Sequence, residues 1–343
     1  MRHSYLGFAL GRLAQAVLVV LLAYVATFLV ISVLPGDPVT GMLRNPQNGF
    51  SADQVQQIVA YYQLDQPVPV QLWHSLSRFV TGDLGVSLRT NLPVSTSIVA
   101  VAGSTLSLAG AALAVALLLA AAIGYGTYAL PRWAGRDLLR AFPSLFSSVP
   151  TYVIGLVILL VFSFHLGLFS VIDPESGTAT LFAALTLGIP VSAQLAEVII
   201  ANLDAEARQE YAVVARSRGL GRARLFALHL LKPSALPVVT VIALIVGELL
   251  GGAVITEQIF GRNGIGSLVS QSVTTQDTPV IQAVVSLSAA VFVVVNLVAD
   301  LGYPLLDPRV RVRSRARRTT VPAPGREPGP FTPSSLTSAG RAG

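Results

Sequence analysis

Six apolar runs divide the chain, at residues 13–34, 105–130, 145–164, 179–200, 237–260 and 279–306. A run of about 20 predominantly apolar residues crosses a bilayer as an α-helix. A helix satisfies its own backbone polar groups where lipid offers no partner. The pattern therefore predicts an all-α, polytopic membrane protein of about six transmembrane helices. Composition agrees: 53% of the residues are hydrophobic and 12% are charged, against about 25% charged in a soluble domain. The first run is longer than a signal-peptide core and no small-residue cleavage site follows it, so it is read as a helix of the protein. Pro150 and Pro190 fall inside the third and fourth runs, and breaks of this kind often mark a cavity wall.

Basic residues set the expected orientation. With the N-terminus inside, 19 of the 23 Lys and Arg residues fall in cytoplasmic segments, as the positive-inside rule requires. The outer side keeps Arg44, Arg78, Arg89 and Arg262. Residues 1–12 are then a cytoplasmic N-terminus and 13–34 the first helix. Residues 35–97 are an external, partly helical segment, and 98–306 a five-helix core carrying a cytoplasmic loop at 204–237. Residues 307–343 are a cytoplasmic tail, Arg/Pro/Ser-rich and disordered from about 312. The expected location is the cytoplasmic (inner or plasma) membrane, with lipid around the chain. The net charge of +6 is explained by these loops and does not call for a nucleic-acid partner.

Several chemistries are excluded. There are no cysteines, hence no disulfide, thiolate metal site or cysteine nucleophile. His3, His74, His165 and His229 have no metal-ligand spacing. No HExxH, GxSxG or phosphate-binding glycine loop with lysine occurs. The chain is expected to be non-catalytic and without a cofactor of its own.

Two soluble-looking stretches carry local signals. Ser51 and Gln54 have capping-box spacing, and Val55, Ile58, Val59 and Tyr62 form one apolar face of the helix that follows. A second short helix is expected at 70–80, ending at a Gly82-Asp83 turn. In the loop 204–237, acidic Glu206 and Glu210 precede basic Arg216 and Arg218, and Gly219 follows. That order suits a helix macrodipole and a glycine cap, so 205–218 reads as a short helix with Tyr211, Val214, Ala215 and Arg218 on one face. Leu225, Leu228 and Leu231 make a second amphipathic side, which Pro233 and Pro237 are expected to close. Physics alone leaves two readings of this loop, a helix on the membrane interface and a helix in a partner's groove.

The run Glu210-Tyr211-Ala212-Val213-Val214-Ala215-Arg216-Ser217-Arg218-Gly219-Leu220, with His229 and Pro237 downstream, resembles the cytoplasmic loop of ABC-importer permeases. The likeness is to the first permease subunit of the dipeptide/oligopeptide branch. Further motifs agree in order: Leu34-Pro35-Gly36-Asp37-Pro38; Leu64-Asp65-Gln66-Pro67; Gly82-Asp83-Leu84-Gly85-Val86-Ser87; Gly251 to Glu257 with Phe260 and Gly264-Ile265-Gly266; and Asn296, Asp300, Tyr303 and Asp307-Pro308-Arg309. The resemblance covers roughly residues 8–311. Pro233 stands where the family often has asparagine, and Arg218 where it often has lysine.

This resemblance implies a type I ABC-importer permease architecture whose loop couples to ATPase subunits through Glu210, Tyr211, Ala215, Arg216, Arg218 and Gly219. It implies as partners a second homologous permease, cytoplasmic ATPases that bind ATP and magnesium, and an extracytoplasmic solute-binding protein. Relatives of this branch move dipeptides, oligopeptides, nickel complexes, haem or glutathione. The competing reading, a stand-alone secondary transporter, needs inverted repeats around a midplane site, and no clear repeat is visible. Glu197, Glu248, Glu257 and Asp300 fall within or at the ends of the apolar runs, so they should face protein or water. Glu248 and Glu257 are candidates to line a solute path; for Glu257 the alternative is a structural role near the outer surface. Gly247, Gly251 and Gly252 permit close helix packing.

Overall fold

A computed structural model describes residues 2–33 and 51–306. Residues 2–303 belong to one compact unit, and the described part of a second, 304–306, only ends the last helix. The expected Leu34–Pro38 and Asp307–Arg309 motifs and the tail lie outside the described residues.

The chain runs as α1 (Arg2–Val33), α2 (Ala52–Tyr62), α3 (Val68–Val80), α4 (Val94–Ala129), α5 (Arg136–Ser147), α6 (Thr151–Ile158), α7 (Gly177–Ala207), α8 (Glu210–Ser217), α9 (Arg222–Leu225), α10 (Leu231–Phe260), α11 (Ile265–Thr274) and α12 (Thr278–Leu306). π-Helical turns extend α6 over Leu159–His165 and join α9 to α10 over Phe226–Leu230. The described residues contain no strand, only an isolated bridge between Val86 and Pro93. Four helices, α1, α4, α7 and α12, are long and apolar enough to cross a membrane singly. Two bent pairs, α5 with α6 at 106° and α10 with α11 at 78°, raise the number to 6 if each is one span.

The bends revise the expected runs. The third, at 145–164, is not one helix: Pro150 caps α6 in an extended conformation at φ −58°, ψ 137°, because its ring fixes φ and removes a donor. Pro190 stays inside α7. The second run begins earlier, at Val94 after Pro93, so the 97/98 boundary falls one turn into α4.

Small residues hold the centre together. α4 presents Leu108, Ala112, Ala116, Ala120 and Ile123 to α7, which answers with Ala183, Ala184, Leu187, Val191, Leu195 and Ala196, all buried. Lipid tails are as apolar as these side chains, so helix association depends on close packing rather than on escape from water. Gly188 shows how close: a Cβ there would meet the Ala112 carbonyl oxygen at 2.9 Å. Two of the three glycines picked from sequence also serve contacts, Gly247 against Phe292 and Gly252 against Leu187, whereas Gly251 faces open space.

The segment before α4 is built as its local signals predict. Ser51 caps α2 with a complete capping box to Gln54. Val55, Ile58, Val59 and Tyr62 are the half-buried side of that helix, while Asp53, Gln54, Gln56 and Gln57 are exposed. The Gly82–Ser87 motif then folds back. Arg78 pairs with Asp83 at 2.8 Å and lies 3.7 Å from the centre of the Tyr61 ring. Burial pushes the Tyr62 phenol well above its usual value, so it stays protonated, donating to Val86 O at 2.7 Å and accepting from Val86 N at 2.8 Å. Asp277, buried in the α11–α12 turn, accepts from Ser87 Oγ and from Leu88 N.

Candidate functional site

The loop between α7 and α10 carries two short helices, α8 and α9, and a π-helical turn. α7 stops at Ala207, Gln209 turns extended at φ −65°, ψ 149°, and α8 begins at Glu210. The helix expected over 205–218 is thus two pieces, its first residues being the end of α7. At the other end Gly219 has φ +84°. Its N–H donates to Arg216 O at 2.9 Å, and Leu220 N donates to Ala215 O at 3.2 Å. This pair of bonds is a Schellman cap, which requires a left-handed residue at the position of Gly219. Ala215 and Leu220 each pack on a small core of Leu203, Ala212, Leu225 and Leu230.

That core seats α8 by one small side chain, Ala212, which is fully buried. Tyr211 and Arg216 tie the helix back to α7: the Tyr211 hydroxyl donates to the Glu206 carboxylate, and Arg216 Nη2 donates to Ala207 O. Burial and the hydrogen bond to Glu206 push the Tyr211 phenol up to about 12, which keeps it a donor at neutral pH. Glu210, Tyr211, Val213, Val214, Ser217 and Arg218 are exposed and Ala215 is half-buried. The expected Tyr211/Val214/Ala215/Arg218 face is therefore divided: Val214 and Arg218 are exposed, Tyr211 is exposed but bonded back to Glu206, and Ala215 packs on the core.

The second amphipathic side differs from expectation. Leu225 and Leu230 are buried, while Leu228 and Leu231 are exposed. The π-turn over Phe226–Leu230 closes i→i+5 bonds, so the buried position recurs after five residues instead of three or four. Pro233 and Pro237 do not close the loop either: both lie within α10. Pro233 lies just after the π-turn, where the helix already departs from its regular hydrogen-bond ladder.

The two glutamates sit elsewhere. Glu248 is 17 residues along α10 from Leu231, about 25 Å from the loop at 1.5 Å per residue. It is exposed and accepts a 2.9 Å hydrogen bond from Gln194 Nε2 of α7. Glu197, one turn beyond Gln194, is exposed as well. Glu257 is fully buried. Its Oε1 accepts from Thr105 Oγ1 at 2.6 Å and its Oε2 from Ser267 N at 3.0 Å, while Thr105 Oγ1 accepts from Ile265 N at 2.7 Å. A Cβ on Gly264 would stand 2.1 Å from Glu257 Oε1, and one on Gly266 would stand 2.4 Å from Val254 Cα. The Glu257 and Gly264-Ile265-Gly266 motifs are thus one device that folds α11 back against α10. The side chain of Asp300 lies outside the described residues.

Beside this turn is a residue that sequence reasoning only counted. Arg262 is buried, with Nη1 donating to Pro174 O at 2.6 Å and Thr180 Oγ1 at 2.7 Å. Its Nη2 donates to Glu175 Oε2 at 2.7 Å and Ser107 Oγ at 3.2 Å. One guanidinium, whose planar fork holds several acceptors at once, thereby joins α4, α7 and the 166–176 loop. At the opposite end Arg140 and Asp204 form a two-bond ion pair, at 3.0 and 2.8 Å, linking α5 to the end of α7. Neither arginine has a sequence pattern that distinguishes it from a loop charge.

Two family models match the chain: "Binding-protein-dependent transport system inner membrane component" over residues 113–312, and the N-terminal part of binding-protein-dependent transport system membrane components over residues 5–109. Among relatives, the glutathione transport system permease protein GsiC of Salmonella typhimurium is 31% identical over 310 residues, covering 90% of this chain and 100% of that one. GsiC of Pectobacterium atrosepticum is 30% identical over 310 residues, and GsiC of Escherichia coli K12 is 30% identical over 309, each with 90% of this chain and 100% of its own covered. The crystal structure of an amino acid ABC transporter with histidines aligns with 63% of this chain and 94% of its own at 17% identity and a TM-score of 0.46, too distant to carry argument. With four to six candidate spans among the described residues and family matches along nearly its whole length, the chain belongs to the inner membrane components of binding-protein-dependent transport systems, the permease subunits of ABC importers.

Proposed function

We propose that this permease pairs with a second, homologous permease subunit to carry small peptides, glutathione among them, across the cytoplasmic membrane. In this reading both termini are cytoplasmic. An extracytoplasmic binding protein delivers the solute, and separate ATPase subunits bind ATP and magnesium and engage α8. The substrate class follows the sequence resemblance and the names of the GsiC relatives.

The observation that carries the reading is the exposure of α8. An eight-residue helix stands between two long apolar helices, anchored by Ala212, Tyr211 and Arg216, with Val213, Val214 and Arg218 turned outward. A short helix presenting apolar residues on a rigid seat suits a groove on another protein. Glu248 and Gln194 mark the path in this proposal. A carboxylate exposed along a membrane-crossing helix is costly in lipid and is expected to face water or a partner subunit.

The test uses Ser217, which is exposed on α8 in a chain without cysteine. Ser217→Cys carrying a photo-crosslinker, in membranes containing the whole importer, should form an adduct with an ATP-binding subunit. Crosslinking only to lipid would reject the coupling role of α8 and favour the interfacial-helix alternative.

A further inference from the structure

Helices α2 and α3 lie in one segment, yet their exposed sides differ. α2 exposes Asp53, Gln54, Gln56 and Gln57. α3 exposes Val68 and Pro69 at its start and, beyond them, Val70, Trp73, Ser77 and Val80; the last four form the pattern of interest. These positions recur at i, i+3, i+7 and i+10, a single stripe on a helix. Within the stripe Trp73 is 73% exposed and Val80 69%, and the Ser77 hydroxyl is turned onto its own backbone, donating to Trp73 O at 2.8 Å and His74 O at 2.9 Å. The charged residue of α3, Arg78, is directed off the stripe toward Asp83 and Tyr61.

The depth of α3 follows from what it touches. Ser75 hydrogen-bonds the Tyr24 hydroxyl of α1, and the Phe79 ring centre lies 4.5 Å from that of Tyr24. Gln282 of α12 donates to Tyr24 O at 2.9 Å. Gln282 is one turn inside α12, which starts at Thr278, so this contact lies about 6 Å below the helix end. Tyr24 lies eight residues before Ser32, the last residue of the apolar run of α1, or about 12 Å below it. The two figures bracket the depth of about 5–10 Å at which amphipathic helices rest in the headgroup–acyl boundary, where tryptophan is enriched. On α1 itself Leu29 and Val30, near the end of the apolar run, are exposed as well.

We propose that the Val70–Trp73–Val80 stripe of α3 lies in the lipid headgroup–acyl boundary and anchors this segment to the bilayer, leaving the polar face of α2 for water and protein. The partner is the membrane surface itself. A soluble protein docked on the stripe would meet it at the depth of the outer turns of α1 and α12.

Because the chain has no cysteine, single spin labels at Trp73→Cys, Val80→Cys and Gln57→Cys test this in lipid nanodiscs, with the full chain and with the assembled importer. Collision with oxygen reports lipid, and collision with a water-soluble nickel chelate reports water. The ratio of oxygen to nickel collision should be several-fold higher at 73 and 80 than at 57, with or without the binding protein. Equal ratios at all three positions would overturn the proposal. Loss of both collisions at 73 and 80 on assembly, or on addition of the binding protein, would overturn it in favour of a protein partner. Agreement of 73 with 80 guards against an effect of replacing the tryptophan.

Discussion

The Asp277 carboxylate accepts a 2.5 Å hydrogen bond from the hydroxyl of Ser87, a residue 190 positions earlier. With the bond from Leu88 N at 3.1 Å, it fastens the segment before α4 to the turn between α11 and α12. Both partners are buried, so their loss leaves donors that water does not reach. Asp277→Ala should cost about 1–3 kcal/mol for each orphaned group, and Asp277→Asn, which keeps an acceptor, less. The expected outcome is faster proteolysis at residues 81–93 and a lower melting temperature in detergent for Ala than for Asn. Identical digestion of all three proteins would show that the segment is held by other contacts.

Arg262 offers a second test of the same end of the bundle. Its side chain is 0% exposed, whereas its ion-pair partner Glu175 is 46% exposed, so the pair itself contributes little once water screens the carboxylate. The neutral acceptors Pro174 O, Thr180 Oγ1 and Ser107 Oγ matter more. Arg262→Lys keeps the charge but not the fork. It should therefore destabilise by about 1–3 kcal/mol, while Glu175→Gln, which keeps an acceptor for Arg262 and for Ser104, should cost less. Equal melting shifts in the two variants would assign the stability to the ion pair instead.

What was legible in the sequence was local. The Ser51–Gln54 box and the Gly219 cap each occupy a few consecutive residues, so spacing and residue type suffice. The apolar runs were legible because lipid imposes length and composition. What spacing did not reveal depends on distant partners or on a changed period. Nothing near Ser87 announces Asp277, and nothing beside Arg262 announces three separate elements. The Leu225/Leu228/Leu231 face presumed 3.6 residues per turn, and the π-turn at Phe226–Leu230 broke that period. Glu257 and Gly264-Ile265-Gly266 were matched as family motifs, but their shared reason, a carboxylate lodged where a Cβ would be, appears only in three dimensions.

Glu248 is exposed and makes its hydrogen bond to Gln194, so Glu248→Gln should leave the amount of folded protein unchanged. If this carboxylate lines the path, uptake through the reconstituted importer should change in rate or in preference among solutes of different charge. Gln194→Leu keeps the carboxylate but removes its donor, so it should shift the preference among charged solutes the opposite way. Unchanged uptake across neutral, cationic and anionic peptides in both variants would remove Glu248 from the path.

Orientation is testable with the same cysteine-free background. Ser51 is exposed at the start of α2 and Ser217 at the end of α8. In intact cells an impermeant thiol reagent should label Ser51→Cys and spare Ser217→Cys until the membrane is opened. The opposite pattern would reverse the bundle and put α8 beyond the reach of cytoplasmic ATPases.

Gly219 separates backbone strain from bulk at the same helix. Its φ of +84° costs a side chain with a Cβ about 1–2 kcal/mol, yet among the described residues, its chain neighbours aside, no atom lies within 4 Å of where that Cβ would be. A larger residue therefore strains the Schellman turn and projects outward without disturbing the core of Ala212, Leu225 and Leu230. Gly219→Val should leave the permease in the membrane and paired with its second subunit. Solute uptake should fall, and stimulation of the ATPase by loaded binding protein should be lost. Two milder variants divide the causes. Gly219→Ala adds strain with little bulk, and Gly219→Asn adds bulk with less strain because asparagine tolerates the left-handed region. Uncoupling by Asn but not Ala would locate the defect in a contact with the ATPase; uncoupling by Ala but not Asn would locate it in the geometry of the turn. If Gly219→Val transports at the wild-type rate with ATPase still bound, α8 is not the element that couples them.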